Sequence, residues 1–152
     1  MKPKNSSLVF LSYLTTVFDN IADAIILIGV EPKGKYRLLL ANDAFFASSG
    51  HTEDAIGREV VDIVHPDSYA SLIKSYQKAT RTKRPIELTS WYTVPRGRRA
   101  YHVKLIPITN TVGEVVQIAG LTRDITELLN LREEVRQLRA KQYKPKTINE
   151  QG

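Results

Sequence analysis

Histidine is the side chain whose ordinary titration falls nearest neutral pH, so the three histidines are the first residues to test for proton transfer or metal ligation. His65 lies in VDIVHPDS, between Asp62 and Asp67, whereas His51 and His102 stand apart from it. No two of them have ligand spacing, so no metal site is expected. His65 directly precedes Pro66, a residue suited to the first turn of a helix, which gives His65 a capping or surface role. The helix dipole accounts for the neighbouring carboxylates. There is no glycine-rich phosphate loop, no nucleophile elbow and no kinase or cyclase motif, so no catalytic residue and no enzymatic activity are expected. With no cysteine in the chain, disulfides, thiolate metal sites, cysteine nucleophiles and cysteinyl photoadducts are excluded.

The second stretch with chemical content is RDITE at 123–127. Asp124 can accept a hydrogen bond from the backbone N–H of Thr126 or Glu127, and Glu127 can return one, as in a capping box. Asp124, Ile125, Thr126 and Glu127 are therefore expected to join a strand directly to a helix, with no flexible linker between them. Beyond them Leu128, Leu131, Val135 and Leu138 recur at intervals of three and four, the a/d spacing of a short coiled coil. The competing reading is a terminal helix that covers its own domain.

The elements that must position these residues come from the rest of the chain. Its 152 residues, 42% hydrophobic and 25% charged, have ordinary globular values and suit one domain with an extension. The longest apolar run, Ala24 to Val30, falls far short of the about 20 residues that cross a bilayer. Ser12, Tyr13, Thr15 and Thr16 interrupt the apolar N-terminus, which reads as an amphipathic helix over 6–19 and not as a signal peptide; a cytoplasmic location is expected. The net charge of +6 gathers at Lys74–Arg84, Arg96–Arg99 and Arg132–Lys146. Without an accompanying nucleic-acid motif, a nucleic-acid partner is only a weak alternative.

Ala24–Val30, apolar at every position, predicts a strand covered on both faces. Glu31–Lys35 predicts a turn, and Tyr36–Ala41 the second strand of a hairpin. Asn42 is placed to cap a short helix and Thr52 another, with Gly50 and Gly57 as stops. Tyr69, Leu72, Ile73, Tyr76 and Ala79 mark one face of a longer helix beginning at Pro66. Alternation then predicts strands over Ile86–Val94, around Tyr101–Leu105, and over Val115–Thr122. The order is two strands, three helices, three strands and a final helix.

That order, with LANDAF at 40–45, GREVVDIVHPDS at 57–68, IPI at 106–108 and RDITE at 123–127, resembles the PAS family of sensor domains over Phe18 to Glu127. The resemblance implies an α+β fold: a five-stranded antiparallel sheet with short helices on one face, flanked by an N-terminal amphipathic helix and a C-terminal coiled-coil helix. The divisions expected are a cap helix at 1–19, a core at 20–123, a signalling helix at 124–142 and a polar tail at 143–152. Relatives usually precede a kinase, cyclase or transcription module, as in bacterial two-component systems. The expected function is a sensory module that dimerises and couples a small pocket to the C-terminal helix, with an effector domain or partner protein downstream. The alternative is a cofactor-free, constitutive dimerisation or docking module, and a flavin or haem sensor is weaker still.

The pocket is expected to involve Asn42, Phe45, Val60, Val64, Tyr92, Leu105 and Thr122, and to suit a small apolar or aromatic ligand with Tyr92 and Thr122 as polar handles. In the light-oxygen-voltage subgroup the loop reads like GRNCRFLQ. Its reactive cysteine falls here on Val60, its phosphate-binding arginine on Val61, its glutamines on Val64 and Thr122, and its asparagines on Tyr92 and on Tyr101 or His102. Flavin is accordingly not expected, and Val60, Val61, Ile63 and Val64 read as plain core. Haem-binding relatives take a histidine from the long helix, which has none here. The two flanking helices lead to the expectation of a parallel homodimer, in which Leu8, Leu11 and Phe18 face the sheet's outer surface or the partner.

Overall fold

The computed structural model describes residues 5–143, so that the polar tail read over 143–152 lies outside the described residues except for Tyr143. Helix α1 (Asn5–Asn20) leads into the hairpin of β1 (Ala24–Glu31) and β2 (Lys35–Ala41). Between the strands Lys33 and Gly34 take φ of 64° and 70°, two successive left-handed residues that reverse the chain within a single 3-10 turn. Helix α2 (Asp43–Ser49) ends at Gly50, whose φ of 74° lets its N–H reach back to the Phe46 carbonyl. A 3-10 turn (Glu53–Ala55), the single-turn helix α3 (Val60–Ile63) and the long helix α4 (Pro66–Thr82) follow. The chain then forms β3 (Ile86–Val94), β4 (Gly97–Thr109), β5 (Val115–Asp124) and helix α5 (Thr126–Gln142).

The strands form one sheet in the order β2-β1-β5-β4-β3, antiparallel at every pair. Period-two alternation therefore gives the whole sheet one inner and one outer face. Ile28, Leu38, Leu105 and Ile118 point inward and are almost wholly buried, with Tyr76 and Ala79 of α4 in the same core. The five-strand antiparallel α+β architecture is the one the sequence implies.

Several local expectations need correction. The Thr52 side chain caps nothing; its backbone carbonyl holds the 3-10 turn by accepting from Ala55 N–H at 2.9 Å. An additional helical turn, α3, precedes α4. It buries Val60 but leaves Val61 48% exposed, so Val61 is not core. Within β1 only Ile28 and Gly29 are buried, and Ile25 and Leu27, on the opposite parity from Ile28, remain part-exposed on the outer face. Helix α1 does not lie on that face: Leu8 is 68% and Leu11 56% exposed, and its neighbour is α2. Val9, Phe10, Tyr13, Leu14 and Val17 spread around the helix, so no single stripe directs it onto the sheet.

Candidate functional site

Between the inner face of the sheet and helices α2 to α4 lies a cavity of about 620 Å³, within the range usual for small-molecule sites. Phe45, Val60, Val64, Tyr92, Leu105 and Thr122 all line it. Asn42 does not. It is 0% exposed, and its amide is occupied in joining four segments: Oδ1 accepts from Ile25 N–H at 2.9 Å and Phe45 N–H at 3.2 Å, and Nδ2 donates to the Phe18 and Asp23 carbonyls. The helix-capping motif at Asn42 conceals this second, long-range role, which only the fold creates.

The lining also includes Ile26, Tyr76 and Tyr101, which sequence reasoning did not assign to the pocket. Tyr101 shares strand parity with Val103 and Leu105, the signal that places it on the cavity face. Gly120 completes the wall. A Cβ there would stand 2.9 Å from Ile26 Cγ1, so the close approach of β5 to β1 at this point depends on glycine.

Several polar groups on the lining are already engaged. His51 Nε2 is 2.7 Å from the Ile63 carbonyl, and its ring stacks on Phe45 with centroids 6.4 Å apart. Ser68 Oγ accepts from Thr93 N–H at 3.1 Å. His65 Nδ1 accepts from Asp67 N–H at 3.2 Å, capping α4. The phenols of Tyr92 and Tyr101, by contrast, lie with their rings 5.9 Å apart and their hydroxyls buried without a hydrogen-bond partner. Burial pushes both phenols above their ordinary range, and the Asp124 charge raises Tyr101 further. Both groups are therefore neutral O–H at physiological pH.

On the same strand the junction to α5 is held by side chains from two directions. Asp124 Oδ1 accepts from Thr126 N–H at 2.9 Å and from Thr126 Oγ1 at 2.7 Å, while Asp124 Oδ2 pairs with Arg99 Nε at 2.8 Å. Burial alone would raise the Asp124 carboxyl, but the hydrogen bonds from Thr126 and Arg99 together hold it below the usual carboxylate range. Buried Thr126 also accepts from Ala100 N–H at 2.9 Å, and Ile125 N–H donates to the Ala100 carbonyl at 2.9 Å. The reciprocal bond expected from Glu127 is not formed: Ile125, not Asp124, occupies the cap position, which shifts Glu127 off the spacing a capping box needs. Thr126 and Arg99 take its place. Beyond the junction Leu128, Leu131, Val135 and Leu138 are all exposed along α5.

Among the described residues no group of three or more potential metal ligands converges, and no helix is long and apolar enough to cross a membrane. Residues 18–130 match the family model of the PAS fold. No curated protein matches the chain. Among solved structures, an RNA-binding light-oxygen-voltage receptor superposes with a TM-score of 0.66 at 20% identity, over 90% of this chain and 39% of that one. The present chain thus spans well under half the length of that receptor. A PAS domain from Colwellia psychrerythraea gives 0.63 at 21% identity, covering 78% of this chain and 98% of the other. A sensory box sensor histidine kinase from Vibrio cholerae gives 0.60 at 15% identity, covering 80% and 96%.

Proposed function

The chain belongs to the PAS family, and from that premise we propose that it is a non-catalytic sensory input module in which occupancy of the cavity biases the start of α5. The observation that carries this reading is the adjacency of two residues. Tyr101 lines the cavity, and Ala100, its neighbour in the chain, supplies the backbone N–H and C=O that hold Thr126 and Ile125. A ligand that moves Tyr101 therefore acts one peptide away from the helix start. In this reading α5 passes the bias to an effector domain or partner protein, and two copies meet through the exposed seam of α5 and the open outer face of the sheet.

The open cavity supports a ligand sensor over a docking module with a filled core. It does not fit flavin in the manner of the light-oxygen-voltage subgroup. Val60, Val64 and Thr122 line the wall where that subgroup carries its cysteine and glutamines, and α4 offers haem no histidine. The purified protein is expected to be colourless; a stoichiometric visible band would overturn that part of the reading.

Filling the cavity from the helical side tests the coupling. Val64→Trp should alter amide exchange across Thr126–Leu131 several-fold while leaving Val115–Ala119 unchanged, with circular dichroism confirming the fold. Unchanged exchange in α5 of the folded variant would sink the coupling.

A further inference from the structure

The cavity's polar inventory narrows what can occupy it. Ser48 donates to the Phe45 carbonyl, Ser49 accepts from His51 N–H, and Ser68 and His51 are engaged as described above. Of the other lining hydroxyls, on Tyr76, Tyr92, Thr93, Tyr101 and Thr122, those of Tyr92 and Tyr101 are buried in a mostly apolar wall with no protein partner. A buried donor left without an acceptor costs on the order of 1–3 kcal/mol, so buried polar atoms of this kind are rare and call for a partner. No lysine or arginine lines the cavity, and its one carboxylate, Asp62, is exposed at the mouth. The lining histidines are held elsewhere, His51 against the Ile63 carbonyl and His65 against Asp67 N–H, so an anion seated against the tyrosines would lose its hydration with no lysine or arginine to replace it, and a cation would find no carboxylate inside.

Resting on the sensor reading of this cavity, we infer that its ligand is a neutral, mainly apolar or aromatic molecule whose carbonyl or hydroxyl oxygen accepts hydrogen bonds from Tyr92 and Tyr101. The apolar body lies against Ile26, Leu105 and Val64, and the oxygen points to the β3–β4 side of the cavity. The hydrogen-bonded end of the ligand then sits on the strand that holds the α5 junction, so the recognised atom and the transmitted movement share β4.

The test uses the full chain and three probes with one aromatic body: 2-acetylnaphthalene, its shape-matched hydrocarbon 2-isopropylnaphthalene, and the anion 2-naphthoate, each titrated by calorimetry. The ketone should bind on the order of tenfold more tightly than either of the others. The Tyr92→Phe/Tyr101→Phe variant should lose that preference while binding the hydrocarbon as before. Equal affinity of ketone and hydrocarbon in the unmodified protein, or a preference that survives in the variant, overturns the inference and leaves the cavity standing as a ligand site. Tighter binding of the anion overturns its neutrality. Failure of both neutral probes to bind at about 1 mM would instead remove the sensor reading, and this inference with it. A second measurement needs no ligand: Tyr101→Phe should hold or raise the thermal midpoint, because it deletes an unpaired buried hydroxyl. A fall of several degrees would show that the hydroxyl is satisfied within the protein itself, and would overturn the inference.

Discussion

Helices α1 and α5 flank the same core and are both exposed along most of their length, yet they are attached in different ways. Helix α1 is apolar around much of its circumference and is held near its C-terminal end, where Asn42 donates to the Phe18 carbonyl. Helix α5 carries its apolar residues at regular spacing and is held at its first residue, by Thr126, Asp124 and the Ala100 backbone. Neither attachment depends on the apolar stripe. A buried polar residue fixes each helix to the sheet, and the apolar surface remains available to a partner.

The largest effect that could break this comparison comes from Asn42→Ala. It strips partners from Ile25 N–H, Phe45 N–H and two carbonyls in a fully buried site, for an expected loss of about 3 kcal/mol. Chemical denaturation should show that loss, and hydrogen exchange should show α1 released together with the β1–α2 region. A loss well under 1 kcal/mol would mean that α1 is anchored by something else.

Next in size are the exposed stripes. Leu131→Glu places a charge in the a/d seam of α5 and should weaken self-association by roughly 2 kcal/mol, read by sedimentation or light scattering. Leu11→Glu in α1 should weaken it less, because the α1 surface is not confined to one stripe. A monomer at tens of micromolar for the unmodified protein, a concentration at which weak dimers persist, would remove the dimer from the proposal.

Thr126→Val sharpens the comparison at the other end. Loss of the acceptor for Ala100 N–H should cost roughly 1–2 kcal/mol and speed exchange across Thr126–Leu131, leaving Val115–Leu121 protected. Asp124→Ala should cost less, about 1 kcal/mol, since the carboxylate is partly solvated and its Arg99 pair is screened. If both substitutions leave α5 as protected as before, the junction is held elsewhere.

The smallest effect is that of pH. The Asp124 carboxyl titrates lower in the folded protein than in the unfolded chain, so its contribution is present above the unfolded value near 3.8 and is lost as pH falls through the lower folded value. Protection of the first turn of α5 should therefore decline below about pH 4. In Asp124→Asn this decline should disappear. A carboxyl NMR titration that places Asp124 at or above its ordinary value would contradict the geometry at the junction.

Much of this was legible in the chain. Strand parity and helical period placed the sheet and α4, and the residues chosen for the pocket line it apart from Asn42. The capping position of Asn42 is legible in the sequence, but its contacts with Phe18 and Asp23 span 24 and 19 residues, and no local pattern encodes them. Tyr101 had the right parity, but which inward side chains face a void and which meet α4 depends on how far the helices stand from the sheet. The capping box failed for a related reason. Pairing of Tyr101 with Asp124 carries β5 two residues beyond the expected end at Thr122, so the helix begins later and Glu127 falls out of reach.

The sequence by itself determined the five strands, the long helices, their order and the absence of thiol chemistry, because propensity, alternation and turn residues act over a few positions at a time. Only the tertiary structure decided that Tyr92 and Tyr101 hide their hydroxyls without partners, that Asn42 binds four segments together, and that Ala100 grips the start of α5. Each of these depends on polar groups distant in the chain being brought together away from water, where a hydrogen bond made or left unmade weighs most.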